Sequence, residues 1–292
     1  MKNILLAYDG SKYAEEAAKL FAHLPHRERI RLTVVTVLEV PRVTRAYATA
    51  NWVAGSADRE HQLAREKFAT VERMFDGANV ELEHRICEGH PAYKIVEEAE
   101  RCEADLVVVG AKGHTTISRL LLGSTSDYVA TRAPCSVFVV RPTGLMDNPR
   151  PLRIALGYNG SHASKGALRD VRDICRGKDT EVFVLSVASY VLGFYDEMAP
   201  DPQLIRAEAA ESLQEALGEL QGINDSTQGQ LLEKPHVGDG LVNAADELGV
   251  DVLVVGETQH SQLTRLLLGS VSRYVIRHAE CSVWVSRHPE ED

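Results

Sequence analysis

Hydrophobic and polar positions follow two different periods along the chain, and each period predicts one type of element. Short, almost wholly apolar runs such as NILLAY (Asn3–Tyr8) have the composition of buried strands. Between them lie longer segments whose apolar residues recur every three or four positions, which predicts amphipathic helices. In the first half of the chain the predicted strands are 3–8, 31–38, 80–86, 106–109 and 136–140, and the predicted helices are 12–24, 58–75, 91–102 and 124–131.

This order of strands and helices predicts the fold class, which is α/β. Apolar strands joined by helices favour a parallel, doubly wound sheet with helices on both faces and right-handed crossovers. In such sheets, ligands bind at the carboxyl ends of the strands where the winding reverses. If the strand 106–109 lies beside the strand 3–8, Asp9 and Gly110 face each other across that crevice.

The second half of the chain repeats the first. The segment RLLLGSTSDYVATRAPCSVFVVR (Arg119–Arg141) returns as RLLLGSVSRYVIRHAECSVWVSR (Arg265–Arg287), with 15 of 23 positions identical and no gap. The opening strands match as well, and the period of about 146 to 150 residues is that of a duplicated domain. The sequence therefore predicts two tandem domains, 1–143 and 150–288, joined by an exposed linker rich in Pro, Gly, Asn and Asp.

Three glycines surround the loop after the fourth predicted strand, in the spacing G-x2-G-x9-G-S. Gly110 ends the strand, Gly113 follows three residues later, and Gly123 precedes Ser124, where a helix is expected to begin. Glycine permits sharp turns and close approach of a ligand, while the first N–H groups of a helix lack internal partners and favour anions. Strand ends and helix starts explain any one of these glycines, whereas the full pattern favours a cradle for a polyphosphate.

Polar side chains accompany this loop. The hydroxyls of Ser124 and Ser126 add hydrogen-bond donors, and His114 is either a phosphate or ribose contact or a bystander. Asp9 is a candidate ligand for a hydrated divalent cation, because Mg²⁺ combines carboxylate with phosphate oxygens. The sequence G-x4-G-K-[ST] is absent, which argues against a P-loop NTPase.

Composition narrows the class of protein further. Of the 292 residues, 44% are hydrophobic and 25% are charged, which is typical of a globular protein. The formal net charge of -10 argues against binding to nucleic acid or to anionic membranes. No apolar run approaches the roughly 20 residues of a membrane span. The five cysteines are scattered and form no C-x-x-C pair, so we expect reduced thiols in a cytoplasmic protein.

At these residues the chain resembles the universal stress protein family in its tandem two-domain form, over nearly the whole length. The resemblance implies a five-stranded parallel sheet of order 3-2-1-4-5 in each domain, and an ATP bound with Mg²⁺ or Mn²⁺. The family's nucleotide pattern is met by Gly110, Gly113, Gly123 and Ser124, its first-strand aspartate by Asp9, its adenine-facing valine by Val37, and its phosphate-contacting helix start by Ser124, Thr125 and Ser126.

The second domain departs from this pattern. Gln259 stands in the place of Gly113, at a cost of roughly 1 kcal/mol or more if the position needs a left-handed backbone. Asn159 replaces Asp9 and removes the candidate metal ligand, and Glu257 adds a negative charge that repels phosphate. The sequence RLLLGS nevertheless survives in both copies, so packing or domain pairing also explains its presence. We expect ATP in the first domain only.

Three classes of function follow. The leading hypothesis is a cytosolic ATP-binding stress protein, a regulatory sensor whose nucleotide occupancy sets its conformation or its partners. No general base or nucleophile is evident on the loop, so the sequence does not argue for an enzyme and leaves slow ATP hydrolysis open. The rival is a non-catalytic dimerisation or scaffold protein with vestigial sites, or with a different ligand in the second domain. A third is an adenylyl-transferring or ATP-pyrophosphatase enzyme with a similar sheet.

The fifth predicted strand is apolar in both copies, SVFVV and SVWV. An apolar strand at the edge of a sheet promotes aggregation unless it is paired. The sequence therefore predicts that the two edges meet within one chain as a pseudo-two-fold pair, and it leaves a homodimer of whole chains open.

Overall fold

The structure is a computed structural model that describes residues 1–25, 28–39, 50–113, 122–148, 150–176, 179–190, 201–257 and 268–288, without the side chains of 50–57. Strands and helices alternate along the described chain. The elements are β1 (Asn3–Ala7), α1 (Lys12–His23), β2 (Ile30–Leu38), α2 (Ala50–Met74), β3 (Val80–Glu88), α3 (Pro91–Arg101), β4 (Leu106–Gly110), α4 (Ser124–Arg132), β5 (Ser136–Val140), β6 (Leu152–Gly157), α5 (His162–Cys175), β7 (Thr180–Ala188), α6 (Pro202–Leu220), β8 (Thr227–Glu233), α7 (Val237–Leu248), β9 (Val252–Gly256), α8 (Ser270–His278) and β10 (Ser282–Ser286).

The strands form one sheet of order β3-β2-β1-β4-β5-β10-β9-β6-β7-β8. Within each half the neighbouring strands are parallel and follow the order 3-2-1-4-5. The halves meet where β5 and β10 pair antiparallel, with Phe138 opposite Trp284 and their ring centroids 5.2 Å apart. The predicted α/β fold class, with two repeated halves and a mostly parallel sheet, is confirmed.

Helices cover both faces of the sheet, because successive strand residues point to opposite sides. Ile4 and Leu6 of β1 lie in a core with residues of α1, α2, α5 and α6, whereas Leu5 and Ala7 lie in a second core with residues of α3, α4, α7 and α8. Each core contains residues of both halves. The two halves therefore share buried apolar surface on both faces of the sheet.

Most helix boundaries follow from local signals. The Ser11 and Ser161 hydroxyls accept hydrogen bonds from the N–H groups of Ala14 and Ser164 at the starts of α1 and α5, as N-cap residues do. The predicted start of α2 is wrong by eight residues, because the helix begins at Ala50 rather than at position 58. The alanines of that added stretch favour helix, although its apolar spacing did not indicate one.

Reciprocal hydrogen bonds join the halves beside the β5–β10 pair. Arg287 follows β10 and its guanidinium donates to three carbonyls around the end of α4, those of Ala130 (2.6 Å), Ala133 (3.2 Å) and Cys135 (3.0 Å). Arg141 follows β5 and donates to the carbonyls of Ile276 (2.6 Å) and Cys281 (3.4 Å) around the end of α8. The last carbonyls of a helix lack internal partners, so each arginine satisfies the helix end of the opposite half.

Among the described helices, none is both long enough and apolar enough to cross a bilayer.

Candidate functional site

The winding of the first half reverses between β1 and β4. These strands are neighbours, with Ile4 paired to Leu106, and the chain runs outward from them in opposite directions to β3 and to β5. Asp9 follows β1, and Gly110 is the last residue of β4. The crevice between them lies at the carboxyl ends of the strands, which is where α/β folds of this kind bind ligands.

Asp9 lies on one wall of the crevice in a fixed position. Its Oδ1 accepts a hydrogen bond from the Ser11 N–H at 2.8 Å, and its carbonyl accepts one from Lys67 Nζ at 2.6 Å. A Cβ placed on Gly113 would lie 3.1 Å from Asp9 Oδ2. Gly113 therefore lets the loop after β4 approach the Asp9 carboxylate across the crevice.

This contact changes the explanation for the glycine at position 113. The position does not need a left-handed backbone, the condition under which a glutamine was expected to be costly, because Gly113 is not among the residues with positive φ. A Cβ at position 113 would instead crowd the carboxylate, since it would lie 3.1 Å from Asp9 Oδ2. Gln259, the counterpart in the second half, lies outside the described residues.

Gly110 has a structural role. A Cβ at this position would lie 2.7 Å from the backbone carbon and oxygen of Tyr13, so the glycine allows α1 to pack directly on the end of β4. Gly256 shows the same feature, since its Cβ would lie 2.2 Å from the Ala163 carbonyl oxygen on α5. The expectation that Gly110 makes room for a ligand is replaced by helix packing, which explains why both halves have glycine there.

The start of α4 forms the opposite wall. Gly123 is its N-cap and provides no side-chain cap, and its N–H donates to the Ala111 carbonyl at 2.8 Å. The next N–H groups belong to Ser124, Thr125 and Ser126, and N–H groups in the first turn of a helix have no intrahelical partner and carry partial positive charge. The exposed Ser124 and half-buried Thr125 place their hydroxyls at this terminus. The arrangement suits an anion.

Ser126 is held differently from the other two. Its side chain is buried, and its hydroxyl donates to the Gly110 carbonyl at 2.7 Å. This bond fastens the first turn of α4 to the end of β4. The Ser126 hydroxyl, which the sequence indicated as a phosphate donor, therefore donates within the protein, and its backbone N–H is the group left at the helix start.

Val37 and His114 are the two remaining predicted contacts. Val37 is half-buried near the end of β2, the strand beside β1, at the same edge of the sheet as Asp9. His114 lies outside the described residues. Its predicted contact stays a prediction.

Lys112 lies on the glycine loop that the sequence indicated as a polyphosphate cradle, and the structure adds that its side chain is buried. The side chain is only 3% exposed, and among the described residues its Nζ has no hydrogen-bond partner. The Nζ lies 5.8 Å from the centre of the Tyr13 ring. Burial, followed by the positive charge of Arg141, lowers the pKa of Lys112. Nothing in the sequence distinguishes this lysine from an exposed one.

The second half builds the equivalent crevice with different chemistry. Asn159 replaces Asp9, and its Oδ1 accepts hydrogen bonds from the Ser161 hydroxyl at 2.7 Å and the Ser161 N–H at 3.3 Å. Glu257, which replaces Ala111, is 8% exposed and accepts the N–H of Gly269, the N-cap of α8, at 2.6 Å. A carboxylate of the protein itself therefore lies at this helix start.

A match to a known protein family identifies the family of this chain. The model of the universal stress protein family matches residues 1–141 and again residues 152–287. The chain belongs to the universal stress protein family. The two matches correspond to the two halves of the sheet, so the protein has the tandem form of the family that the internal repeat indicated.

Individual relatives agree with this assignment. A universal stress protein of Mycobacterium tuberculosis is 24% identical over 290 residues, which is 97% of this chain and 98% of the relative. A universal stress protein of Methanocaldococcus jannaschii is 33% identical over 142 residues, covering 48% of this chain and 82% of the relative. The crystal structure of a universal stress protein from Archaeoglobus fulgidus covers 98% of both chains with a TM-score of 0.67 at 18% identity, which shows a shared fold.

Proposed function

We propose that this protein is an ATP-binding universal stress protein, a regulatory nucleotide sensor of the stress response that binds ATP in its first domain only. The domains are 1–143, with the intact glycine pattern, and 150–288, with the altered one. Occupancy of the first crevice sets the conformation or the partners of the protein. The cytoplasm is its proposed compartment, since its cysteines are free thiols as in reducing compartments.

The close approach of Gly113 to Asp9 carries this proposal. It sets the loop before α4 close to a fixed carboxylate, which a Cβ at position 113 would crowd, and the start of α4 has no side-chain cap. The N–H groups of Ser124, Thr125 and Ser126 are the proposed phosphate donors. Val37 is the proposed adenine contact and His114 a proposed phosphate or ribose contact, as the family resemblance and the loop position imply.

The Asp9 carboxylate is also the proposed ligand of a divalent cation bound together with the nucleotide. Its Oδ2 faces Gly113, whereas its Oδ1 accepts the Ser11 N–H. Among the described residues, no three His, Cys, Asp or Glu side chains form a metal-binding group. A Mg²⁺ or Mn²⁺ ion at Asp9 would therefore take most of its ligands from phosphate and water, and it would supply charge neutralisation of the triphosphate.

Gly113→Gln, which copies the second domain, is the test. The variant is expected to lose ATP binding in titration calorimetry with Mg²⁺ while its unfolding midpoint stays close to that of the parent. Gly218→Gln is the matched control, because Gly218 lies exposed on α6 with nothing within 4 Å of its added Cβ. Equal ATP affinity of Gly113→Gln and the parent would contradict the proposal. A universal stress protein of known structure was solved in complex with cAMP, so cAMP is titrated alongside ATP.

A second measurement tests the restriction to one domain. Nucleotide released by heat from the purified protein is identified by mass spectrometry and counted. We expect one ATP per chain, and two per chain would mean that the second domain also binds. The same samples, incubated with Mg²⁺, report whether ADP, AMP or pyrophosphate is released over time.

The reciprocal contacts of Arg141 and Arg287 favour a second candidate function. They make the pairing of the two domains through β5 and β10 specific, as a scaffold or dimerisation protein requires. In that case the protein presents one paired surface to its partners whether or not the first crevice is filled. Gly113→Gln separates the candidates, since a scaffold keeps its full biological activity in that variant.

A further inference from the structure

Two buried cations lie close to the ends of β4 and β5 in the first half. Gly110 lies opposite Val140 and the N–H of Ala111 donates to the Val140 carbonyl at 2.8 Å, which places Ala111 opposite Arg141 and Lys112 one residue past that pair. Lys112 is 3% exposed and Arg141 is 4% exposed. Arg141 donates to carbonyls of the other half, whereas Lys112 Nζ has no hydrogen-bond partner among the described residues.

No carboxylate of the described residues compensates these charges. Burial lowers the pKa of Arg141, and only the weaker influence of Cys281 and Tyr13 acts in the other direction. For Lys112, burial and the charge of Arg141 both lower the pKa. The Tyr13 ring lies at the outer limit of a cation–π contact and offsets part of the cost. A buried ammonium without a hydrogen bond is rare enough in proteins to indicate a missing anion.

In the second half, a carboxylate of the protein compensates the corresponding buried arginine. Glu257 occupies the position of Ala111, and its N–H donates to the Ser286 carbonyl, so it lies beside Arg287 as Ala111 lies beside Arg141. The carboxylate of Glu257 accepts the Gly269 N–H at the start of α8, and its negative charge raises the pKa of Arg287 against the effect of burial. One carboxylate therefore serves both the buried arginine and the helix start.

The geometry points to Lys112 as a phosphate-binding residue of the first domain. We propose that its ammonium holds one phosphate group of the bound nucleotide at the start of α4, where the Glu257 carboxylate lies in the second domain. This inference rests on the proposed nucleotide site. The Cα of Lys112 lies 3.4 Å from the position of a Cβ on Gly123, the N-cap of α4, and the four-carbon stem lets the ammonium turn towards that terminus.

The test compares Lys112→Met with Ala111→Glu, which introduces the carboxylate of the second domain. ATP, ADP, AMP and inorganic tripolyphosphate are titrated into each purified protein. Lys112→Met is expected to bind ATP and tripolyphosphate about 10- to 100-fold more weakly, the loss typical of a hydrogen bond to a charged group, with a smaller loss for AMP. Ala111→Glu is expected to bind ATP and tripolyphosphate at least as weakly as Lys112→Met does. Lys19→Met, an exposed lysine of α1, is the control for the change in net charge.

Stability without ligand separates a binding role from a structural one. Lys112→Met removes an unpaired buried charge, so its unfolding midpoint in the absence of anions is expected to equal or exceed that of the parent. A Lys112→Met variant with parental affinity for ATP and tripolyphosphate overturns the inference and leaves the ATP site standing. Lys112-dependent binding of tripolyphosphate with no tighter binding of ATP supports the inference and contradicts the ATP proposal. A parent that binds neither ligand overturns both.

Discussion

In the first half, the carbonyl of Ala111 accepts the N–H of Gly123, whereas in the second half the side chain of Glu257 accepts the N–H of Gly269. The backbone frame of the two crevices is the same, including the tightly packed glycine that ends each central strand. What differs is the source of negative charge. The second crevice carries its own anion, and the first one contains Lys112 in the position next to Ala111.

The differences between the two halves distinguish residues that maintain the fold from residues that contact a ligand. Gly110 and Gly256 are retained because α1 and α5 pack against them, irrespective of any ligand. Gly113, Lys112 and Asp9 have no such counterpart in the second half. Duplication therefore provides an internal control, since features common to both halves reflect packing and features confined to one half report on its ligand.

The largest effect is expected at the two packing glycines. Gly110→Ala places a Cβ 2.7 Å from the Tyr13 backbone, which cannot yield as a side chain does, and we expect a loss of about 3 kcal/mol in the free energy of unfolding, measured by urea titration. Gly256→Ala is expected to lose more, because its Cβ would lie 2.2 Å from the Ala163 oxygen. Gly218→Ala has open space and is expected to stabilise α6 slightly. Parental stability of Gly256→Ala would mean that the halves do not share this packing.

The next largest effect concerns the contact between the halves. Arg287→Met leaves three carbonyls around the end of α4 without their donor, and we expect a loss of roughly 2–3 kcal/mol in the free energy of unfolding. Arg172→Met breaks only a surface ion pair with Glu219 and is expected to cost less than about 1 kcal/mol. If both variants unfold at the same urea concentration, the arginine does not hold the two halves together.

The fold was largely predictable because its signals are local and occur twice. Apolar strand runs and the repeat of 15 in 23 positions indicated the two halves, and the family resemblance supplied the strand order. The site was less predictable because its decisive contacts are between distant residues. The contacts of Gly110 with Tyr13, and of Gly113 with Asp9, depend on how α1 packs on β4, which the spacing of the glycines does not specify. The Glu257 bond to Gly269 spans a loop whose path the sequence does not show.

Glu257→Ala makes the second crevice resemble the first and has an intermediate expected effect. It removes the acceptor of the Gly269 N–H and the charge that compensates Arg287, so we expect a loss of about 1–2 kcal/mol in stability. Inorganic phosphate should restore part of this loss, since an anion that binds only the folded state raises the unfolding midpoint. Glu247→Ala, at an exposed position of α7, should show neither the loss nor the recovery. The same phosphate response in both variants would argue against an internal anion.

The smallest effect is expected at an ion pair between α4 and α8. The carboxylate of Asp127, in the first turn of α4, accepts hydrogen bonds from the guanidinium of Arg277 at 3.0–3.2 Å. The Arg277 side chain is 50% exposed and the Asp127 side chain is 38% exposed. Such exposed pairs contribute little, so Arg277→Ala is expected to cost less than about 0.5 kcal/mol in stability. Asp127 would remain favourably placed at a helix start, where negative charge is stabilised.

The loss of this ion pair is expected to change ATP affinity more clearly than it changes stability. Without Arg277, the negative charge of Asp127 is no longer neutralised beside the start of α4, where the proposed phosphate lies. At the corresponding position α8 carries Arg273, so this repulsion belongs to the first half alone. We expect ATP affinity of Arg277→Ala to fall about two- to threefold at low salt and to return to the parental value near 0.5 M salt, where charges a few ångströms apart are screened. A loss of affinity that persists at high salt would instead indicate that the variant has altered the geometry of α4.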